Sequence, residues 1–228
     1  MTISSVDIHT SANKPQIGRE SAQANSIYVI TGQPGCGKSE LCAELYKAGF
    51  IVLPEVARRL IAHNELRNSL YCESLPLPWT NLDGFQRELI AIQLNREKVA
   101  REISDTVFSE RGISDSAAYY MASTGFDYNG QNKNSFSLDA IPSDLRDTIF
   151  THKYAGVFIL DPLPYKADSQ RREDPAHAAR IHEQMFVAYR LSGHEPIRVP
   201  VLPICERAQF ILEKVDLQLL QLYKSVRG

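Results

Sequence analysis

Eight consecutive residues, Gly32-Gln33-Pro34-Gly35-Cys36-Gly37-Lys38-Ser39, carry the most specific chemistry in this chain. Gly, four residues, then Gly-Lys-Ser is the spacing of a phosphate-binding loop. Gly32, Gly35 and Gly37 let the backbone turn its N–H groups inward without Cβ clashes, which makes a nest for anionic oxygens. A helix starting at Lys38, with Glu40 in its first turn, adds its positive N-terminal end to the same spot. Lys38 can bridge the β- and γ-phosphates of a nucleotide, and the Ser39 hydroxyl can ligate Mg²⁺. The alternative, a Gly-rich turn with an exposed lysine, does not need the whole pattern. The spacing predicts a nucleoside triphosphate, ATP or GTP, bound with Mg²⁺ over residues 32–40.

Acids and bases elsewhere stand where strands should end. Thr106-Val107-Phe108-Ser109 leads into Glu110-Arg111-Gly112, and a helix pattern starts at Ser114 with Asp115 in its first turn. Beside a phosphate loop, Glu110 can hold the hydration shell of Mg²⁺ or orient an acceptor hydroxyl by accepting its proton. Arg111 can meet a phosphate; Asp115 can touch an acceptor or simply favour its helix dipole. Glu55 follows another short strand and opens another helix, which leaves it the same two readings, and Arg58 and Arg59 come one turn later. Asp161 ends the run Val157-Phe158-Ile159-Leu160 and competes with Glu110 for the metal. Lys166, Asp168, Arg171 and Arg172 lie in a polar stretch after that strand. A lid over about 164–180 would bring Arg171 or Arg172 onto a transferring phosphoryl group and exclude water; a solvated arginine pair is the plainer reading.

The elements that position these residues alternate between strand and helix. Ile27–Thr31, Phe50–Leu53, Thr106–Ser109, Ala155–Leu160 and Pro196–Val201 read as short buried strands. Helices follow the loop at Glu40–Ala48 and resume at Val56–His63. Thr80 and Asp83 form a capping-box-like start for a long helix with Leu82, Phe85, Leu89, Ile92, Val99 and Ile103 on its core face. Leu75-Pro76-Leu77-Pro78-Trp79 must be a loop, because two prolines remove donors and fix φ; its Trp can cap a pocket or plug a core edge. Residues 124–133 are turn-rich, and a short helix is expected over Ser143–His152. Asp174-Pro175 opens a helix that runs to Gly193. One final helix is expected from about Ile204 to Tyr223. Residues 1–25 lack sustained periodicity and read as a flexible leader, leaving one domain over 26–228.

Composition narrows the partners. At 228 residues with 43% hydrophobic and 23% charged side chains, the chain can bury a core as one domain. The net charge of −2 gives no basic footprint for nucleic acid. Cys36, Cys42, Cys72 and Cys205 show no pairing or metal-ligand spacing, and a thiol inside the phosphate loop fits a reducing cytoplasm. No apolar run has the length of a membrane span. A monomer and a homodimer are equally compatible with these features.

Taken in order, the phosphate loop, Pro54-Glu55 with Ala57-Arg58 and Leu60-Ile61, Pro78-Trp79, Phe108 to Gly112, Asp115 with Ala118-Tyr119, and Asp168 with Arg171 form a family pattern. It resembles P-loop proteins labelled AAA-type ATPases, a group that includes the ribosylnicotinamide kinase domain of NadR-type proteins and a GTP- and phosphoinositide-binding animal relative. The resemblance spans about 200 residues. It implies an α/β, three-layer P-loop NTPase fold of the nucleoside/nucleotide-kinase type, with a five-stranded parallel sheet and a lid. Glu110-Arg111 stands where the family has Asp-Arg; the longer side chain moves the carboxylate and favours orienting the acceptor hydroxyl over holding the metal, and deoxynucleoside kinases carry Glu-Arg at a comparable strand end. No Asp-Glu pair marks a hexameric motor. The expected function is transfer of a phosphoryl group from ATP to a small hydroxyl-bearing acceptor. Lys38, Glu110, Arg171 and Arg172 would be catalytic, and Glu55, Arg58, Arg111 and Asp115 would face the acceptor. A nucleotide-dependent switch and a simple hydrolase are the alternatives.

Overall fold

Six residues in a row, Ser26–Thr31, are buried and form β1, the central strand. A run without alternation is what a parallel strand covered on both faces requires. The computed structural model describes residues 26–123, 137–163 and 175–227. The leader 1–25, the turn-rich stretch 124–133, and the expected lid up to 174, with Lys166, Asp168, Arg171 and Arg172, lie outside the described residues.

From β1 the chain passes through α1 (Lys38–Lys47), β2 (Ile51–Leu53), α2 (Ala57–Tyr71), α3 (Leu82–Ile103) and β3 (Thr106–Glu110). Next come α4 (Ser114–Ser123), a 3₁₀ turn at Leu138–Ala140, α5 (Ser143–Thr151) and β4 (Gly156–Leu160). The described chain closes with α6 (Pro175–Leu191), β5 (Ile197–Val199), α7 (Ile204–Val215) and α8 (Leu217–Arg227). The strands form one sheet in the order β2-β3-β1-β4-β5, and every pairing is parallel. This is the expected three-layer fold. Ile27 and Val29 face a core built with α3, α4 and α6; Tyr28 and Ile30 face the opposite core with α1, α7 and α8. Because successive side chains alternate faces, one strand nails both helix layers to the sheet.

Three expectations change. α3 is capped by Asn81, whose side chain accepts from the Gly84 N–H at 2.9 Å. The Thr80 hydroxyl is turned back to Leu77, so no Thr80–Asp83 box forms. The buried face of α3 carries Phe85, Gln86, Ile90, Gln93, Glu97 and Ala100, whereas Val99 and Ile103 are exposed. The last helix is broken. Asp216 is extended, and its carboxylate accepts from the Gln218 N–H at 2.6 Å, which starts α8 afresh. The break turns Tyr223 into the core, where its hydroxyl donates to Glu44 of α1 at 2.7 Å; Arg227 pairs with the same carboxylate. Trp79 is half exposed.

Candidate functional site

The carboxyl edge of the sheet gathers four acids and the phosphate loop, as expected for an open α/β sheet. The loop runs from β1 to α1. Gly32, Gly35 and Gly37 have φ of 143°, 80° and 86°, which is left-handed territory for which glycine is suited. At Gly32 a Cβ would also sit 2.8 Å from the Cys36 Sγ and 2.9 Å from the Leu160 carbonyl oxygen. Gly37 is the N-cap of α1 and no side chain caps that end, so among the described residues the first-turn N–H groups of Lys38, Ser39 and Glu40 meet no side-chain acceptor. The Lys38 ammonium is folded onto the loop, donating to the carbonyls of Gly32 at 3.1 Å and Gln33 at 2.9 Å. Gln33, Pro34 and Gly35 are half-buried, Cys36 is buried, and Ser39 and Glu40 are exposed.

Register places Glu110 beside Ile30, close to the start of the loop. The Ser39 hydroxyl donates to its Oε1 at 2.6 Å. Asp161, at the end of β4, lies instead 3.5 Å from the Arg198 guanidinium. Of the two strand-end acids weighed for the metal, Glu110 is the one in contact with Ser39. Both are hard oxygen donors, which suits Mg²⁺.

A second cluster leads away from Glu110. Arg111 donates to Glu55 Oε1 at 2.5 Å and to Asp115 Oδ2 at 3.1 Å, and its guanidinium lies over the Tyr119 ring at 5.6 Å. Its backbone is left-handed, φ 73°, and is held there by an N–H bond to the Ile30 carbonyl at 3.0 Å. Such a conformation in a non-glycine residue costs about 1–2 kcal/mol, and persists only where its surroundings fix it. Burial alone would raise the Glu55 carboxyl. The charges of Arg111, then of Lys38, outweigh it and hold Glu55 down at about 2. Around Arg111, burial opposes the charge, but Tyr119, Glu55 and Asp115 hold the guanidinium protonated well above its usual range.

Asp115 is fully engaged inside the protein. Its Oδ1 accepts from the Tyr189 hydroxyl at 2.6 Å, and its Oδ2 accepts from Thr31 at 2.6 Å as well as from Arg111. Burial, then the Asp115 charge, pushes the Tyr189 phenol well up, so it stays a donor. Arg58 is largely exposed, 3.3 Å from Glu55 Oε2. A cleft of about 380 Å³ opens between α2 and α3, with Val56, Arg59, His63, Glu88 and Arg96 on its walls.

A sequence profile of the AAA domain matches residues 27–207, from β1 into α7. The chain belongs to the AAA domain family. No curated protein matches this AAA domain by sequence. Solved structures share its fold. Thymidylate kinase from Ehrlichia chaffeensis superposes with a TM-score of 0.55 at 14% identity, over 84% of this chain and 98% of that one. Thymidylate kinase from Candida albicans gives 0.54 at 14% identity, over 88% and 94%. Deoxyadenosine kinase from M. mycoides gives 0.51 at 12% identity, over 83% and 98%.

Two features of this AAA domain escaped the sequence reading. The first is a buried polar network under the β3–α4 turn. Gln93 donates to Glu97 at 2.8 Å and to Ser109 at 3.0 Å, and Ser109 donates to the Arg111 carbonyl at 2.8 Å. Glu97 also meets the Tyr154 hydroxyl at 3.0 Å and the His152 Nε2 at 2.7 Å, while Tyr154 accepts the Ile113 N–H at 2.7 Å. The network fixes the backbone on both sides of Arg111. Its signal was present as Gln86, Ile90, Gln93, Glu97 and Ala100, a helical stripe that mixes polar and apolar residues. The second is Arg207 on α7, which is buried against the phosphate loop; nothing in its sequence neighbourhood announces it. Among the described residues, no helix is long and apolar enough to cross a membrane, and all four cysteines are free.

Proposed function

We propose that this AAA domain transfers the γ-phosphoryl group of ATP to a hydroxyl of a small, nucleoside- or vitamin-like acceptor, in a reducing, cytoplasmic setting. The observation that carries this reading is the 2.6 Å contact between Ser39 and Glu110. It brings a strand-end carboxylate to the mouth of a helix whose N–H groups are open to an anion. Ser39 and Glu110 would hold Mg²⁺, which when bound supplies charge neutralisation at the β- and γ-phosphate oxygens. The loop amides at Gly35–Ser39 would bind the phosphates, and Lys38 would swing from its carbonyl partners onto them. Glu55 stays ionised and is anchored by Arg111, so it can accept a hydrogen bond from the acceptor hydroxyl and orient it. Asp115, with both oxygens engaged, acts by positioning Arg111. The cleft between α2 and α3 offers room for the rest of the acceptor. Phosphoryl transfer needs little covalent help, so positioning and charge supply most of the rate.

The fold similarity to thymidylate and deoxyadenosine kinases supports this chemistry, and the NadR-type resemblance adds ribosylnicotinamide to the acceptors worth trying. The test is release of ADP from ATP and Mg²⁺, with GTP as an alternative donor, against a panel of nucleosides, nucleoside monophosphates, vitamins and sugars. One acceptor should accelerate nucleotide turnover at least tenfold. Turnover that ignores every acceptor would mean a hydrolase. Nucleotide binding that changes partner affinity without any turnover would mean a switch. Glu110→Gln should lower turnover at least 100-fold and raise the Mg²⁺ concentration needed, while ATP affinity changes less than fivefold; equal losses in turnover and affinity would remove Glu110 from this role.

A further inference from the structure

Arg207 is 3% exposed, yet no acid pairs with it among the described residues. Its Nη1 donates to the Cys36 carbonyl in the phosphate loop at 2.9 Å, and its Nε donates to the Leu202 carbonyl, between β5 and α7, at 2.8 Å. A Cβ on Gly37 would come within 3.2 Å of Nη1, so the guanidinium lies directly under the loop. Glu40, whose Oε2 is 3.8 Å from that same point, is exposed and forms no ion pair with it. Arg111, a half-buried arginine at the sheet edge, is by contrast neutralised by both Glu55 and Asp115. Taking a guanidinium out of water without a counter-charge is costly. Two carbonyls offset part of that cost, and an anion held in the loop would offset more.

We propose that Arg207 is a positioning residue for nucleotide phosphates. The inference rests on the nucleotide reading above. In a trans peptide the C=O and N–H point in opposite directions. By gripping the Cys36 carbonyl from below, Arg207 aims the Gly37 N–H away from itself, toward the concave side of the loop. The charge also polarises that peptide, which strengthens the amide as a donor. A triphosphate tail held by the loop would add a counter-charge across the thickness of one backbone segment. Because Nε holds Leu202, the loop after β5 is set in the same register, so two segments that flank the nucleotide are aligned by one side chain.

A purely structural staple and a phosphate-positioning cation differ in how the loss scales with ligand charge. Calorimetric affinities for MgATP and MgADP are compared in the wild-type full chain, Arg207→Gln, which keeps donors without charge, and Arg207→Lys, which keeps charge without the fork. Arg207→Gln should weaken MgATP at least tenfold and MgADP by at least threefold less than that. Arg207→Lys should weaken MgATP three- to tenfold, again more than MgADP. Equal loss for both nucleotides, or none, in either folded variant overturns the proposal. If Arg207→Gln does not fold, the same comparison in Arg207→Lys decides the matter. A wild-type chain that binds neither nucleotide overturns the nucleotide reading itself, and this inference with it.

Discussion

Replacing Asp115 with alanine should separate its structural job from any direct role in binding an acceptor. The carboxylate is 4% exposed and receives three hydrogen bonds, from Tyr189, Thr31 and Arg111. Asp115→Ala removes all three, leaves the Tyr189 hydroxyl buried without an acceptor, and leaves Thr31 only the weak Met185 sulfur at 3.7 Å. Each stranded group costs about 1–3 kcal/mol. Breaking a buried ion pair from one side costs about 3–5 kcal/mol, but Arg111 keeps Glu55, so the lower part of that range applies. The total is about 5 kcal/mol or more. Asp115→Asn can still accept one hydroxyl, but its amide donors face those of Arg111, for a loss of about 2 kcal/mol. Urea unfolding at pH 7, followed by circular dichroism, reads both values, provided the slope with denaturant is unchanged. An alanine variant within about 1 kcal/mol of wild type would refute the argument that Asp115 is an internal hub.

The remaining predictions concern Glu55, Gly32 and Asp216. Glu55 falls from 4.5 to about 2 on folding, so its contribution is present above about pH 4.5 and is lost as pH falls toward 2. The shift is worth roughly 3 kcal/mol, so the stability gap between wild type and Glu55→Gln should shrink by that order from pH 7 to pH 2.5; a constant gap would contradict the assignment. Gly32→Ala should abolish ATP binding in calorimetry and cost at least about 2 kcal/mol, because its Cβ meets a backbone oxygen that cannot move aside. Gly49→Ala, with φ 93° and nothing within 4 Å, should cost only about 1 kcal/mol. Asp216→Ala should cost about 1 kcal/mol through the lost cap and raise hydrogen exchange in α8 selectively.

The strands and the phosphate loop were legible because local sequence decides them. Ser26–Thr31 is apolar or small throughout, and Gly, Lys and Ser at fixed offsets leave few alternatives. The ends of the strands were also legible, which is why Glu55, Glu110 and Asp161 were all placed at the sheet edge. Which of them meet was not. Asp115 depends on Tyr189, 74 residues away, and Glu97 on His152, 55 residues away. The phase of α3 went astray for the same reason: Gln93 and Glu97 are tolerated inside only because Ser109, Tyr154 and His152 satisfy them. Leu89, Ile92, Val99 and Ile103 looked like the core face, since hydrophobicity alone cannot foresee a buried polar partner. At Asp216 the apolar period continues through the break, and only the capping side chain marks it.

The join between α8 and α1 sets the size of the smallest piece that can stand alone. The family profile stops at residue 207, yet Glu44, on the helix that begins with Lys38 and Ser39, takes its oxygen and nitrogen donors from Tyr223 and Arg227, beside the weak Cys205 thiol at 3.7 Å. A fragment trimmed at the profile's edge would strand an acid in the lower core and unmoor the helix that carries the loop. Expression limits for this domain therefore belong beyond Arg227, and affinity tags at its carboxyl end need a spacer.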